Sequence, residues 1–252
     1  MEQRFKGKKA IITGAGSGIG KATVERFVAE GGIAVAIDVS QERLDQLTSD
    51  FSKRGQSIQT VCGDLCSSET IERIMSTVGS HLDILINNAG IMDDFVPLEE
   101  LDDELWERVI SVNLTSVMKL SRAALKVMLK QGHGAIVTTS SGASFKSGIA
   151  GTAYTTSKHG VNGLVKSIAA IYGHRGIRSN AVAPGGTKTN IMDLSKPIRG
   201  QKTMELLAPN MSNATKTAEP SEVAASILYL ASDDASNVNG AILACDGGWS
   251  AK

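Results

Sequence analysis

The chain has little of what marks secreted, membrane or nucleic-acid-binding proteins. Its 252 residues include three cysteines, Cys62, Cys66 and Cys245. So odd and sparse a set builds no disulfide framework, and Cys62/Cys66 has no second Cys or His pair at metal-like spacing, so free thiols and no metal are expected. Prolines number only five, and no Pro/Gly/Ser-rich linker or internal repeat divides the chain, which reads as one domain over residues 1–252. Formal charge cancels, 26 basic against 26 acidic residues, and no basic run offers the footprint of a nucleic-acid binder. The charged opening MEQRFKGKKA is followed by only a few apolar residues, unlike a signal peptide or membrane anchor, so a cytoplasmic, reduced protein with small-molecule partners is expected.

What the chain does have is alternation. Short apolar runs at 10–13, 33–38, 58–62, 84–87, 135–139, 178–183 and 241–244 read as buried parallel strands. Helical patterns at about 18–30, 41–54, 67–79, 101–130, 153–173 and 219–231 separate them, long enough for right-handed crossovers. The inference is a doubly wound parallel sheet with helices on both faces. The stretch between Gly185 and Glu219 has no strong periodicity, and a segment of that length reads as a substrate-covering insertion, at about 187–218.

Directly after the first strand comes Gly14-Ala15-Gly16-Ser17-Gly18-Ile19-Gly20, and then a helix. Glycines let the backbone approach an anion, and the open N–H groups and dipole of the helix attract it, so this turn is a candidate dinucleotide cradle. Asp38 closes the second strand, where a carboxylate can accept hydrogen bonds from ribose hydroxyls and repel a 2′-phosphate. With Ser17 in the turn and no basic residue directly after Asp38, the pattern favours NAD over NADP; capping of the following helix is the other use for Asp38. Tyr154 and Lys158 stand four apart on one expected helix, so they share a face. A phenol that exchanges protons near neutral pH needs its ordinary value of about 10 lowered, and a neighbouring ammonium can do part of that.

With Gly14-x-x-x-Gly18-x-Gly20, Asn87-Asn88-Ala89-Gly90, Asn113, Ser141, Tyr154-x-x-x-Lys158 and Pro184-Gly185 in order, essentially the whole chain resembles the classical short-chain dehydrogenase/reductase family. That resemblance implies a single-domain Rossmann fold with a seven-stranded sheet, a nicotinamide cofactor and a tetrad of Asn113, Ser141, Tyr154 and Lys158. Tyr154 would be the general acid/base, Lys158 would lower its pKa and bind nicotinamide-ribose hydroxyls, Ser141 would bond the substrate oxygen, and Asn113 would hold a water behind Lys158. Ser140 would be structural. Gly14, Ser17, Gly18, Ile19, Gly20 and Asp38 would bind the cofactor's adenosine and phosphates, with Asp64 and Leu65 at adenine. Asn88, Ala89 and Gly90 would line the cleft, and Pro184, Gly185, Thr187 and Thr189 would grip the carboxamide. Asp64 can equally be a turn residue, and Asn88 to Gly90 can serve the central sheet alone. The C-terminal Asp246-Gly247-Gly248-Trp249 is also familial; such tails help build a homotetramer, although Trp249 reads equally as core.

The reaction implied is NAD(H)-dependent hydride transfer between a secondary alcohol and a ketone. A 3-oxoacyl-thioester reductase and a catalytically idle NAD-binding scaffold are the alternatives. The substrate pocket is expected from 142–149, 91–96 and 191–207, where Phe145, Ile149, Ile191, Met192 and Leu194 suggest an apolar, uncharged substrate, while Lys188 and Lys196 leave an anionic one open.

Overall fold

A computed structural model describes residues 3–192 and 197–251. Seven strands form one parallel sheet: β1 (Lys9–Thr13), β2 (Ile33–Asp38), β3 (Gln59–Cys62), β4 (Ile84–Asn87), β5 (Gly134–Thr139), β6 (Ile177–Pro184) and β7 (Ile242–Cys245). Their order is β3-β2-β1-β4-β5-β6-β7, so the winding reverses between β1 and β4. In an open α/β sheet the crevice outside the strand ends at such a reversal is where ligands bind. Thr13 and Asn87 end the two strands that flank it.

Adjacent apolar residues in the central strands face opposite ways. Ile12, Ile86 and Val137 pack with Phe27 of α1 (Gly18–Ala29), Leu44 of α2 (Gln41–Ser52) and Ile227 of α8 (Pro220–Ala231). Ile11, Leu85 and Ile136 pack with Ile74 of α3 (Ser68–Val78) and Leu120 of α5 (Ser116–Gln131) on the other face. A period of two within runs that are apolar at both positions places a core on each side of the sheet.

One helical expectation changes. The helix expected over 101–130 is α4 (Asp103–Ile110), a π-turn at Ser111–Thr115, and α5. The π-turn inserts residues without interrupting the apolar period, so the pattern alone reads as one helix, and Asn113 sits inside it. The stretch from 185 to 219 contains α7 (Gln201–Ser212), which buries none of its residues and carries Pro209 in its interior. A helix without a buried stripe leaves no periodic signal. The remaining long helix, α6 (Thr152–Tyr172), crosses from β5 to β6 and carries Tyr154 and Lys158.

Leu85 is fully buried at the centre of the sheet. Leu85→Ala should lower the unfolding free energy by about 2–5 kcal/mol in urea titration; a loss below about 1 kcal/mol would place that side chain outside the close-packed core.

Candidate active site

At the carboxyl ends of β1, β4 and β5 the backbone is tied together by short polar side chains. The Thr13 hydroxyl accepts the N–H groups of Asn88 (2.9 Å) and Ala89 (3.1 Å), Asn88 Nδ2 donates to Thr13 O (3.1 Å), and Thr139 Oγ1 donates to Asn88 Oδ1 (3.1 Å). Both uses considered for Asn88 to Gly90 therefore hold at once: Asn88 knits the sheet, and all three residues line the cleft above it.

The glycine turn wraps the start of α1. Gly14 and Gly18 adopt φ of 64° and 50°, where L side chains are strained. A Cβ on Gly20 would lie 2.0 Å from Gly14 O, so only glycine lets the helix begin against the turn. Ser17, the N-cap residue of α1, makes no side-chain capping bond, which leaves the first amides of the helix for another acceptor. Asp38 is buried; its carboxylate accepts the N–H of Gly16 (2.9 Å) and of Ser40 (3.0 Å). It holds the turn against the end of β2 while Ser40 caps α2, and each oxygen retains acceptor capacity toward the cleft. Arg43, which the spacing after Asp38 did not single out, also lines this end; one helical turn of α2 brings it back beside Asp38 and Gly16.

The cleft has a volume of about 500 Å³ and runs from Asp38, Arg43 and Asp64 past Gly14, Ser17, Gly18 and Ile19 to Ser141, Tyr154 and Lys158. Leu65, Pro184, Gly185, Thr187 and Thr189 line it as well. Asp64 accepts the Cys66 N–H (2.9 Å) and pairs with Arg108 Nη1 (2.9 Å), so it is a turn residue and a cleft residue together. The backbone N–H of Cys66 is the main reason its carboxyl is held below the usual range. An open helix N-terminus, two left-handed glycines and a carboxylate at the far end fit a dinucleotide.

Tyr154 and Lys158 are both buried, 7% and 3% exposed. Lys158 Nζ donates to Thr139 O (2.9 Å) and stands 5.5 Å from the Tyr154 ring centroid. The Ser141 side chain hydrogen-bonds the phenol and also accepts the Ala143 N–H (3.1 Å). Asn113 Oδ1 accepts the Ile91 N–H (2.9 Å), while Nδ2 donates to Ile91 O (2.9 Å) and Ser157 Oγ (3.2 Å). A Cβ on Gly90 would lie 3.3 Å from Asn113 Oδ1 and 3.6 Å from Lys158 Nζ, so this glycine is where the amide and the ammonium meet. Ser140 donates to Asn162 Oδ1 (2.7 Å), the structural use expected of it.

One expectation is corrected. The Tyr154 phenol is not lowered in the free protein: burial pushes it up to about 12, with the Ser141 hydrogen bond opposing and the Asp93 charge adding to the rise. Burial also pushes Lys158 down to about 8. Desolvation is the largest influence on each group and disfavours both charged forms.

The other half of the cleft is apolar. Met92, Phe95, Ile149, Ile191, Met192 and Met211 line it, with Trp249, whose indole N–H donates to Asn210 O (2.9 Å). Trp249 is thus core and pocket wall at once. Phe145 is exposed and lies outside the cleft, because the short helical turn at Gly142–Ser144 directs the chain away from it. Lys188 pairs with Glu219 and also lies outside the cleft. Leu194 and Lys196 fall outside the described residues.

Lys158 titrates near 8 folded and 10.5 unfolded, so between these values the unfolded chain binds the extra proton. Its burial penalty is full below pH 8 and is relieved as pH rises to 10.5. Lys158→Met should therefore raise stability at pH 7 by up to about 3 kcal/mol relative to the native chain, an advantage that shrinks toward pH 10 in chemical unfolding. An advantage that is absent at pH 7, or that grows with pH, would contradict the burial of the ammonium.

Comparison with known proteins agrees with this geometry. The family described as short chain dehydrogenase matches residues 8–198. A 3beta-hydroxysteroid dehydrogenase 2 of Eggerthella lenta is 40% identical over 97% of this chain and 95% of its own length. A cis-4-hydroxycyclohexanecarboxylate dehydrogenase of Sinomonas cyclohexanicum is 39% identical over the full length of both. A Beutenbergia cavernae structure assigned as an NAD(P)-dependent gluconate 5-dehydrogenase, with NADP bound at low occupancy, superposes with a TM-score of 0.87 at 33% identity and full coverage of both chains. With its cleft at the sheet's winding reversal and its Tyr154–Lys158 helix above β5, the chain belongs to the short-chain dehydrogenase/reductase family.

Proposed function

We propose that this protein is an NAD(H)-dependent oxidoreductase for apolar, ring-borne secondary alcohols and the corresponding ketones. The observation that carries the reading is the meeting of Ser141, Tyr154 and Lys158 in a cleft where Met92, Phe95, Ile149, Met192, Met211 and Trp249 line the side opposite the Asp38 end. Bound NAD would supply the hydride acceptor, and NADH the donor, in the reverse direction. Gly14 to Gly20 and Asp38 would hold the adenosine and phosphate end, and Asn88 to Gly90, Lys158, Thr187 and Thr189 the nicotinamide end. Asp38 supports NAD over NADP because its carboxylate would meet a 2′-phosphate with like charge. The NADP in the Beutenbergia protein makes this a property to measure rather than to carry over.

The residues divide the work. Ser141 orients the substrate hydroxyl by hydrogen bonding, and Tyr154 takes its proton during oxidation or returns one to the carbonyl oxygen during reduction. Lys158, fixed by Thr139 O, stands beside the ring as the phenol ionises. Since burial, with the Asp93 charge and against the Ser141 hydrogen bond, leaves the phenol at about 12, the positive charge of oxidised nicotinamide would supply the further stabilisation a tyrosinate needs here. Asn113 ties the loop at Ile91 to Ser157 of α6, the residue next to Lys158. Methionines at 92, 192 and 211 give the wall side chains that adjust to irregular apolar shapes. The relatives named for a hydroxysteroid and a hydroxycyclohexane carboxylate support ring-borne alcohols. A cytoplasmic homotetramer completes the reading.

Purified protein incubated with a 3β-hydroxysteroid, a 4-hydroxycyclohexane carboxylate, gluconate and a short acyclic secondary alcohol, each with NAD and with NADP, should reduce nicotinamide best with an apolar cyclic alcohol and NAD. Tyr154→Phe should lower kcat by about 100- to 10,000-fold while retaining NADH binding. Wild-type turnover in Tyr154→Phe would overturn the role of the phenol, and a preference for NADP would overturn that of Asp38.

A further inference from the structure

Asp93, in the loop after β4, is fully buried yet does not line the cleft. Its Oδ2 accepts the backbone N–H of Tyr154 (2.8 Å), and its Oδ1 accepts those of Gly151 (3.2 Å) and Phe95 (3.3 Å). The first turn of α6 has no side-chain cap of its own, since Gly151 is the N-cap residue. A carboxylate delivered from another loop therefore satisfies the open amides of the very turn that carries the phenol.

The fit is close on both sides. A Cβ on Gly151 would lie 2.5 Å from Asp93 Oδ2, although its backbone, at φ −75° and ψ −178°, suits any residue. On the loop side, Asp94 and Phe95 both adopt left-handed φ, 50° and 57°, without being glycine. The Asp93 bond to the Phe95 N–H, the Val96 N–H bonded to Asp93 O (3.0 Å) and the Thr152 N–H bonded to Val96 O (3.2 Å) hold that unfavourable backbone in place. Asp94 O in turn accepts the N–H of Gly200, the residue that starts α7.

We propose that Asp93 is a positioning residue for Tyr154: its carboxylate pins the first turn of α6 to the 93–96 loop, fixing the phenol against Ser141 and tying that turn to the start of the covering helix. The inference rests on the acid/base reading of Tyr154. Asp93 does not line the cleft, so it acts through the geometry and the field at the phenol. Among the described residues, the charged groups facing that phenol are Asp93 from the loop and Lys158 from α6. Ser141 beside β5, Met211 of α7 and Trp249 of the tail are uncharged.

Asp93→Asn puts an amide N–H against a backbone N–H, and Gly151→Ala pushes the carboxylate away while keeping its charge. Both variants should lower kcat for the best alcohol of the panel by about 100-fold, with KM and the NADH dissociation constant within about threefold of wild type. Asp93→Ala/Gly151→Ala should be no slower than Asp93→Ala alone, because the clash partner is gone. An activity-independent readout comes from tyrosine labelled at Cζ, which gives three NMR signals for the three tyrosines. The Tyr154 signal should titrate at lower pH in Asp93→Asn than in wild type, since a negative charge has left its surroundings.

Wild-type kcat in both Asp93→Asn and Gly151→Ala would overturn the proposal, as would losses of kcat and NADH affinity that run in parallel, the mark of a general folding role. If wild type turns over no member of the panel, the functional reading fails instead, and an unmoved Tyr154 titration in Asp93→Asn then overturns the present one independently.

Discussion

The hydrogen bond from Lys158 Nζ to Thr139 O is the contact on which the site depends. It fastens a buried ammonium on α6 to the carboxyl end of β5, and so sets the Tyr154 face of the helix above the sheet. That bond exists because β5 lies between β4 and β6 in the middle of the sheet, with Thr139 also donating to Asn88 across to β4. Asn88 in turn is held by Thr13 at the end of β1, beside the glycine turn. A chain of short polar contacts thus runs from the glycine turn to the helix that carries the phenol. The two cores beneath provide the rigidity that lets single hydrogen bonds fix positions at this precision.

Burial is the other governing constraint, and it acts against the chemistry in the isolated protein. A phenol held near 12 and an ammonium near 8 are both biased toward their neutral forms. Such a phenol stays protonated near neutral pH in the free protein, and on the proposed reading the positive charge of oxidised nicotinamide would favour its ionised form. The apolar wall of Met92, Ile149, Met211 and Trp249 serves the same end by keeping water from the phenol.

Much of this was legible in the chain. Runs such as Ile84–Asn87 bounded by amphipathic stretches declared a parallel sheet, and the strands observed depart from the expected bounds by only a few residues. The glycine turn, Asp38, and the spacing of Ser141, Tyr154 and Lys158 located the cleft; Gly14, Ser17, Gly18, Ile19, Asp38 and those three residues line it, whereas Gly20 is packed against Gly14 O instead. What could not be read depends on contacts distant in sequence or on balances of energy. The π-turn at Asn113 left the apolar period intact, and α7 buried no stripe that a pattern could reveal. Arg43 reaches the cleft through a helical turn rather than through its distance from Asp38 along the chain. Asp93 fell within the 91–96 stretch expected at the pocket, yet it does not line the cleft; only the fold brings it to the amides of Gly151 and Tyr154, 58 and 61 residues away. The direction of the Tyr154 shift was misjudged because spacing gives proximity to a lysine but says nothing about desolvation.

The central claim is that the protein holds its phenol neutral and that oxidised cofactor completes the activation. Following the Tyr154 Cζ resonance through a pH titration, with and without saturating NAD, tests it most directly. The midpoint should lie near 12 in the free protein and move to lower pH when NAD is present. A free-protein midpoint already near neutrality, or one that NAD leaves where it was, would contradict the account.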